Sequence, residues 1–277
     1  MSERTAPRRG PIVSFSVRRV SALVLRYVYL LMGSWPRLLE LAYWPSVQII
    51  LWGFISKYFV SQTSWAGSAA GALLAAVLLW DILFRGQLGY TISFMEELWS
   101  RNLGQLFISP LRPYEMVLSL TAISLIRTLV GVIPAAVLAI PLYGFSLFDL
   151  GLPLIAFFGN LMVTGWALGL MVTALLLRVG LGAESVAWMA LFLIAPVSAI
   201  YYPVDVLPVW LQAVAWSLPP AYVFEGMRAI LFDGVFRSDL LYGAVLLNIV
   251  YMVLGGIAFT VSFRLARRQG LLHQLGE

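Results

Sequence analysis

The sequence predicts an all-α integral membrane protein with six transmembrane helices. Apolar residues make up 61% of the 277 residues and only 11% are charged, and the mean hydropathy of +0.90 lies far above that of soluble domains. The apolar residues form six runs, each about long enough to cross the ~30 Å hydrocarbon layer of a bilayer. Arginine concentrates between and beyond these runs. Three further elements are expected: an N-terminal interfacial helix, a cytoplasmic helix, and a re-entrant outer hairpin before the last span.

The composition also excludes several classes of site. The chain has no cysteine, and its only histidine, His273, lies in the C-terminal tail. Thiolate ligands and cysteine nucleophiles are therefore excluded, and a single histidine in the tail disfavours a histidine-based metal or acid–base centre. We expect no catalytic residue and no metal. The formal charge of +5 comes from arginines near the termini, a pattern that favours contact with anionic lipid over binding of nucleic acid.

The N-terminal region is predicted to stay outside the hydrocarbon layer. Residues 1–13 are polar and rich in arginine and proline, which predicts a disordered cytoplasmic tail. Residues 14–42 interleave apolar residues with arginines, and Arg19 and Arg26 are seven apart, on nearly the same side of a helix. This pattern predicts an amphipathic helix in the inner headgroup layer, with its arginines reaching lipid phosphate. The alternative is that this helix is itself a membrane span.

The six spans form one transmembrane domain, 43–263, followed by a cytoplasmic tail at 264–277. Most of the lysines and arginines fall on one side of the membrane if the N-terminus is inside. Both termini are therefore predicted to be cytoplasmic. The spans are expected at 43–60, 67–91, 115–138, 152–177, 185–201 and 240–263.

Residues 95–113 are the longest polar interruption between two apolar runs, and they are predicted to form a helix on the cytoplasmic side. Glu96 and Glu97 open the segment, Arg101 follows Glu97 by four positions, and a Ser-Pro pair ends it. The apolar residues that recur at helical spacing are Leu98, Trp99, Leu103, Leu106 and Phe107. Such an apolar side lies either on lipid or on another protein.

Residues 196–233 are too apolar for an outer loop, and five prolines interrupt them too often for one span. Backbone at membrane depth must satisfy its hydrogen bonds internally, which favours two short helices that enter the outer leaflet and return. The expected helices are 206–216 and 222–232. The alternative is a plain extracellular cap.

Four polar residues fall inside predicted spans: Asp81, Arg85, Arg127 and Asn160. A charge at the bilayer centre costs about 2.5 to 3.5 kcal/mol, so each charged residue is expected to have a partner. The available pairs are Asp81 with Arg85 or Asp81 with Arg127. A structural ion pair is favoured over a proton relay or a polar transport path, because no second acid lies at mid-span.

Two of these stretches resemble the membrane subunit of type-2 ABC exporters. Residues 96–120 read EELWSRNLGQLFISPLRPYEMVLSL and are similar to the coupling segment of that family. Residues 196–234 read PVSAIYYPVDVLPVWLQAVAWSLPPAYVFEGMRAILFDG and resemble the proline-rich outer hairpin of that family. The order of spans agrees with this resemblance over nearly the whole chain beyond residue 14.

The resemblance implies a dimer of membrane subunits, either a homodimer or a pair with a similar permease, that works with a separate ATP-binding cassette subunit. No phosphate-binding loop surrounds Lys57, the single lysine, so ATP and Mg are expected on the partner and no cofactor on this chain. The residues implied to couple to the ATPase are Glu96, Glu97, Trp99, Arg101, Leu103 and Phe107. Those implied for the outer hairpin are Tyr202, Pro203, Pro208, Trp210, Pro220, Tyr222, Glu225 and Arg228.

The expected function is that of a permease subunit of an exporter in the bacterial plasma (inner) membrane, without an ATPase site of its own. Apolar and aromatic span interiors favour an amphipathic or lipid-like cargo, with membrane lipid as a further partner. The second candidate cargo is a lipid-linked glycan. Outside transport, the alternatives are a membrane scaffold or a membrane-embedded enzyme.

Overall fold

The computed structural model describes residues 15–62 and 66–268, and all its regular elements are helical. The predicted tail at 1–13 and residues 269–277 of the predicted C-terminal tail lie outside this part. The α-helices are α1 Val17–Met32, α2 Trp35–Gln62, α3 Ala66–Trp99, α4 Leu103–Ile108, α5 Pro113–Tyr143, α6 Leu152–Val179, α7 Glu184–Ile194, α8 Val209–Trp216, α9 Pro219–Asp233 and α10 Ser238–Arg268.

Five helices of the described part are long and apolar enough to cross a membrane: α2, α3, α5, α6 and α10. The fifth predicted span, 185–201, is shorter than expected. Its helix α7 has 11 residues, so it rises only about 16 Å. A 3₁₀ turn, Ala195–Val197, follows it, because Pro196 cannot continue the α-helical hydrogen bonding.

The predicted interfacial helix at 14–42 is divided in the structure. α1 ends at Gly33, whose N–H donates to the carbonyls of the last turn, and α2 begins at Trp35. The first long helix therefore starts eight residues earlier than predicted and carries Arg37 with it. α2 remains a long helix although Pro45 lies within it.

The core of the bundle lies between α3 and α6, which run parallel and are mostly buried. A Cβ added to Gly165 would lie 2.9 Å from the backbone nitrogen of Gln87, and one added to Gly169 would meet the ring of Tyr90. Only glycine allows the two backbones to approach so closely. The two glycines are four positions apart on α6, so both lie on the side of the helix that packs against α3.

α10 packs along α6 and is held there by buried amides. Asn248 Nδ2 donates to Asn160 Oδ1 at 2.9 Å, and Thr164 Oγ1 donates to Asn248 Oδ1 at 2.7 Å. Hydrogen bonds between membrane helices contribute on average about 0.6 kcal/mol each. Asn160 therefore has a structural role as a contact between α6 and α10.

The chain directions define two ends of the bundle. The end of α3 and the start of α5 flank α4, and α6 and α10 also finish at that end, where Arg178 Nε donates to Ser262 Oγ. We call this the α4 end. α8 and α9 lie at the opposite end, which we call the hairpin end.

Candidate functional site

The segment predicted as one helix from residue 95 is divided by a sharp turn. α3 continues through both glutamates to Trp99, and the short helix α4 follows. At the turn the Asn102 N–H donates to the Glu97 carbonyl and the Arg101 N–H to the Leu98 carbonyl, the two bonds of a Schellman motif. Arg101 takes the left-handed position of this motif with φ 53°, where glycine is preferred.

Glu97 is fully buried at the α4 end, against α1. Arg26 donates to both of its carboxylate oxygens, at 2.8 and 3.1 Å, and Asn102 Nδ2 donates to one of them at 2.9 Å. A carboxylate near a helix C-terminus is unfavourable because the helix dipole is negative there. The bidentate guanidinium compensates and fastens α1 to the end of α3.

Glu96 lies between two arginines from different helices. Arg127 Nη2 of α5 donates to both of its carboxylate oxygens, at 2.9 and 3.1 Å, and Arg37 Nη1 of α2 donates at 3.3 Å. Arg127 is buried, so its side chain reaches from within the bundle toward the α4 end. Arg127 is therefore the partner of Glu96, and the pair of Asp81 with Arg127, one of the two that the sequence allowed, does not form.

A third acid, Glu115, is buried at the start of α5. Arg19 of α1 donates to its two carboxylate oxygens at 2.9 and 2.6 Å. The backbone N–H groups of Ser16 and Arg112 donate to the same carboxylate at 3.0 Å each. Glu115 therefore caps α5 and anchors the beginning of α1.

Together these contacts form three arginine–glutamate pairs that join the N-terminal helices to α3 and α5; we call them the ion-pair platform. Its pairs are Arg19–Glu115, Arg26–Glu97 and Arg37–Glu96, with Arg127 completing the third. The expectation that the α1 arginines reach lipid phosphate is corrected for Arg19 and Arg26, because carboxylates of this chain hold them. The signal available in the sequence was the presence of three acids at 96, 97 and 115 beside an arginine-rich N-terminus.

The platform changes which predicted coupling residues face outward. Glu96 and Glu97 bind arginines of their own chain, and the side chain of Leu103 is buried in the core. Trp99 is 49% exposed and Arg101 is exposed. The side chain of Phe107 lies outside the described residues. Of the predicted coupling residues whose side chains are described, Trp99 and Arg101 are therefore the two exposed beside α4.

Asp81 and Arg85 form the ion pair that their spacing on α3 predicted. Arg85 Nε donates to Asp81 Oδ2 at 3.2 Å, and both side chains are buried. A Cβ on Gly131 of α5 would lie 2.8 Å from Arg85 Cδ and Nε, so the guanidinium lies directly against the α5 backbone. The pair fills the space between α3 and α5. Because the two opposite charges are paired, the free-energy cost of burying each of them is lower.

At the hairpin end, Glu225 and Arg228 fasten α9 to the segment that follows α7. Glu225 Oε1 accepts from the Val204 N–H at 2.7 Å and from Arg228 Nη2 at 2.9 Å. Arg228 Nη1 donates in turn to the Ile200 carbonyl at 3.3 Å. Both side chains thus form hydrogen bonds with backbone groups in a region that has no continuous helix.

The remaining predicted hairpin residues shape this region. The Tyr202 hydroxyl donates to the Pro196 carbonyl, and Tyr222 packs edge-on against Trp216 and directly on Gly243 of α10. Trp210 of α8 is 70% exposed. The prolines mark the starts of elements: Pro203 precedes a 3₁₀ turn, Pro208 precedes α8, and Pro220 is in the first turn of α9.

α2 and α7 each carry large apolar side chains that the chain itself leaves uncovered. Only 17% of the most apolar stretch of α2 is buried within the chain, compared with 83% of the corresponding stretch of α3. Exposed side chains on the two helices include Trp44, Phe54, Tyr58, Trp188, Phe192 and Leu193. These side chains contact lipid or a second protein.

Comparison with known proteins agrees with this architecture. The profile of the ABC-2 type transporter family matches residues 26–232, which include the ion-pair platform except Arg19 and all of α9 but its last residue. No protein with curated annotation matches the chain significantly. Members of this family are the transmembrane components of ABC transporters, without the ATPase site, and they normally work with an ATP-binding cassette subunit. With its apolar helices and a match over most of its length, the chain is a multi-pass membrane protein of the ABC-2 type transporter family and the permease component of an ABC transporter.

Proposed function

We propose that this permease exports an amphipathic or lipid-like substrate from the cytoplasm or the inner leaflet of the bacterial plasma membrane. The termini and the α4 end are cytoplasmic in this proposal, and the hairpin end faces outward. ATP and Mg bind to the partner subunit. The observation that carries the proposal is the ion-pair platform around α4.

The platform makes the α4 end a rigid unit that can transmit force. α1, the start of α2, the end of α3 and the start of α5 are joined by paired charges, most of them partly or fully buried. A partner that pushes on Trp99 and Arg101 moves these four helix ends together. Closure of the ATP-binding subunits would thus reach the spans as rigid-body motion rather than as bending of a loop.

A second copy of this chain would cover the exposed apolar side chains of α2 and α7. Between the two copies a path would run along α2, α3 and α7, closed outside by α8 and α9. The exposed aromatic and aliphatic side chains of α2 and α7 suit acyl chains or an amphipathic molecule better than a small ion. The ion pair of Asp81 and Arg85 lies at membrane depth on α3 but is shielded by packing, which favours a structural role.

Transport by the reconstituted complex tests this proposal. The permease and its ATP-binding subunit would be placed in proteoliposomes, and ATP-dependent movement of a fluorescent short-chain phospholipid would be measured by dithionite quenching. Trp99→Ala/Arg101→Ala should abolish movement, whereas Trp210→Ala, an exposed tryptophan at the hairpin end, should retain coupling to ATP. Equal movement with and without ATP in the unmodified complex would reject lipid-like export.

Labelling of single cysteines tests the orientation, because the natural chain has no cysteine to remove. A membrane-impermeant maleimide should label Val209→Cys at the hairpin end in intact cells. It should label Arg264→Cys at the α4 end only after permeabilisation. The reverse pattern would overturn the assignment of both ends.

A further inference from the structure

Four arginines gather where α6 and α10 finish, at the α4 end. Arg178 is in the last turn of α6, and Arg264, Arg267 and Arg268 are in the last turns of α10; all are exposed. The bond from Arg178 Nε to Ser262 Oγ, at 2.9 Å, brings the guanidinium of one helix to the end of the other. We call this group the α6–α10 arginine cluster.

The cluster differs from Arg19 and Arg26 of α1 and from Arg37 of α2 in having no acid to neutralise it. Within the described residues, no carboxylate lies within 4.0 Å of any of the four guanidinium groups, whereas Arg19, Arg26 and Arg37 each have one. Glu184, at the start of α7, forms no ion pair in that part of the chain. Unpaired arginines at the end of two membrane helices attract an anionic group.

Apolar side chains adjoin the cluster on both helices. Leu175 of α6, which precedes Arg178, is exposed, and so are Ile257 and Val261 of α10, which precede Arg264. Positive charge at the helix ends and an exposed apolar strip on the membrane side match the two parts of a phospholipid. A soluble partner would account for the charge but not for the strip.

We propose that the α6–α10 arginine cluster binds the head group of an anionic phospholipid, whose acyl chains lie along the exposed strip. Guanidinium groups donate two hydrogen bonds to one phosphate, which favours arginine at such a site. The lipid contact that the sequence suggested for Arg19 and Arg26 of α1 is assigned here to α6 and α10. The proposal does not depend on the transported substrate. The proposed orientation decides only whether the bound lipid lies in the inner or the outer leaflet.

Native mass spectrometry of the purified full chain in detergent tests the proposal. The protein would be titrated with phosphatidylglycerol and with phosphatidylcholine of the same acyl chains. We expect tighter binding of phosphatidylglycerol, and a loss of about fivefold for each arginine removed in Arg264→Gln and Arg268→Gln. Arg101→Gln removes another exposed arginine at the α4 end and should keep the preference.

Three results would overturn the proposal. The first is equal binding of both lipids by the unmodified protein. The second is a preference for phosphatidylglycerol that persists in the Arg264→Gln/Arg268→Gln variant. The third is a loss of phosphatidylglycerol affinity in Arg101→Gln as large as the loss in that variant. If the double variant no longer bound the ATP-binding subunit but kept its lipid preference, the cluster would be a contact for that subunit and not for lipid. A thermal unfolding curve of each variant identifies any general loss of folding.

Discussion

Arg127 of α5 reaches the α4 end and donates from Nη2 to both carboxylate oxygens of Glu96, at 2.9 and 3.1 Å. The contact joins α5 to the last turns of α3 and includes α2 through Arg37. Arg127, which lies inside a predicted span in the sequence, thus holds α2, α3 and α5 together at the α4 end.

Arg127→Leu should destabilise the protein strongly, because it leaves the half-neutralised carboxylate of Glu96 beside an apolar side chain. Breaking a buried pair costs about 3 to 5 kcal/mol. The midpoint of thermal unfolding in detergent, measured by scanning fluorimetry, should fall by several degrees. Glu96→Gln/Arg127→Leu should recover part of the loss. Normal stability with abolished transport in Arg127→Leu would instead place Arg127 on the transport path.

Glu97→Lys should impair folding as well as coupling, since it puts a cation against Arg26 in a buried site. The exchange Arg26→Glu/Glu97→Arg restores opposite charges and should recover expression and the unfolding midpoint relative to either single change. ATPase stimulation measured on the same preparations shows whether coupling returns with folding. A folded Glu97→Lys protein that fails only to bind the ATPase would contradict the internal role of Glu97.

Arg101→Gly should raise stability and lower coupling. Glycine relieves a left-handed conformation that costs other residues about 1 kcal/mol, so the unfolding midpoint should rise slightly. The same change removes the guanidinium proposed to contact the ATPase, so ATP hydrolysis stimulated by the complex should fall. Arg101→Ala separates the two effects, because it removes the side chain and keeps the strain. Full coupling in both variants would exclude Arg101 from the contact.

Gly165→Ala should push α3 and α6 apart. Its Cβ would lie 2.9 Å from the Gln87 backbone nitrogen and 3.1 Å from the Leu83 carbonyl oxygen, and neither backbone atom can move without its helix. We expect a loss of about 1 to 3 kcal/mol, typical of overpacking, seen as a lower unfolding midpoint.

Gly159→Ala is the matched control on the same helix. No atom lies within 4 Å of a Cβ at that position, so alanine should be neutral or stabilise by a few tenths of a kcal/mol through its better helix propensity. A similar fall in both variants would mean that the close packing of α3 and α6 does not explain the effect.

Disrupting the Glu225 contact should loosen the hairpin end while leaving the bundle folded. In Glu225→Ala the N–H of Val204 loses its acceptor and Arg228 loses its anion. Hydrogen exchange of residues 198–207 should accelerate, and exchange in α6 should stay unchanged. Glu225→Gln keeps one acceptor and should show an intermediate effect. Unaltered exchange at 198–207 would show that α9 is not what holds this segment.

The sequence alone determined the fold class, the family and the approximate place of each long helix. Length and apolar composition are enough for this, because a helix in lipid must satisfy its own backbone hydrogen bonds over a fixed thickness. The Asp81–Arg85 pair was also predictable, since spacing of four places both side chains on one face of α3. The proline-rich stretch similarly predicted two short helices, found as α8 and α9.

The tertiary structure decided which charges meet. Arg19 and Glu115 are 96 positions apart, and Arg26 and Glu97 are 71 apart, so helical periodicity carries no information about either pair. It also decided that α3 continues past Glu96 and Glu97 and turns at Arg101, because arginines from α1, α2 and α5 offset two acids at a helix C-terminus. Packing between distant helices fixes these contacts, and it made internal anchors of residues that the sequence alone placed on the surface.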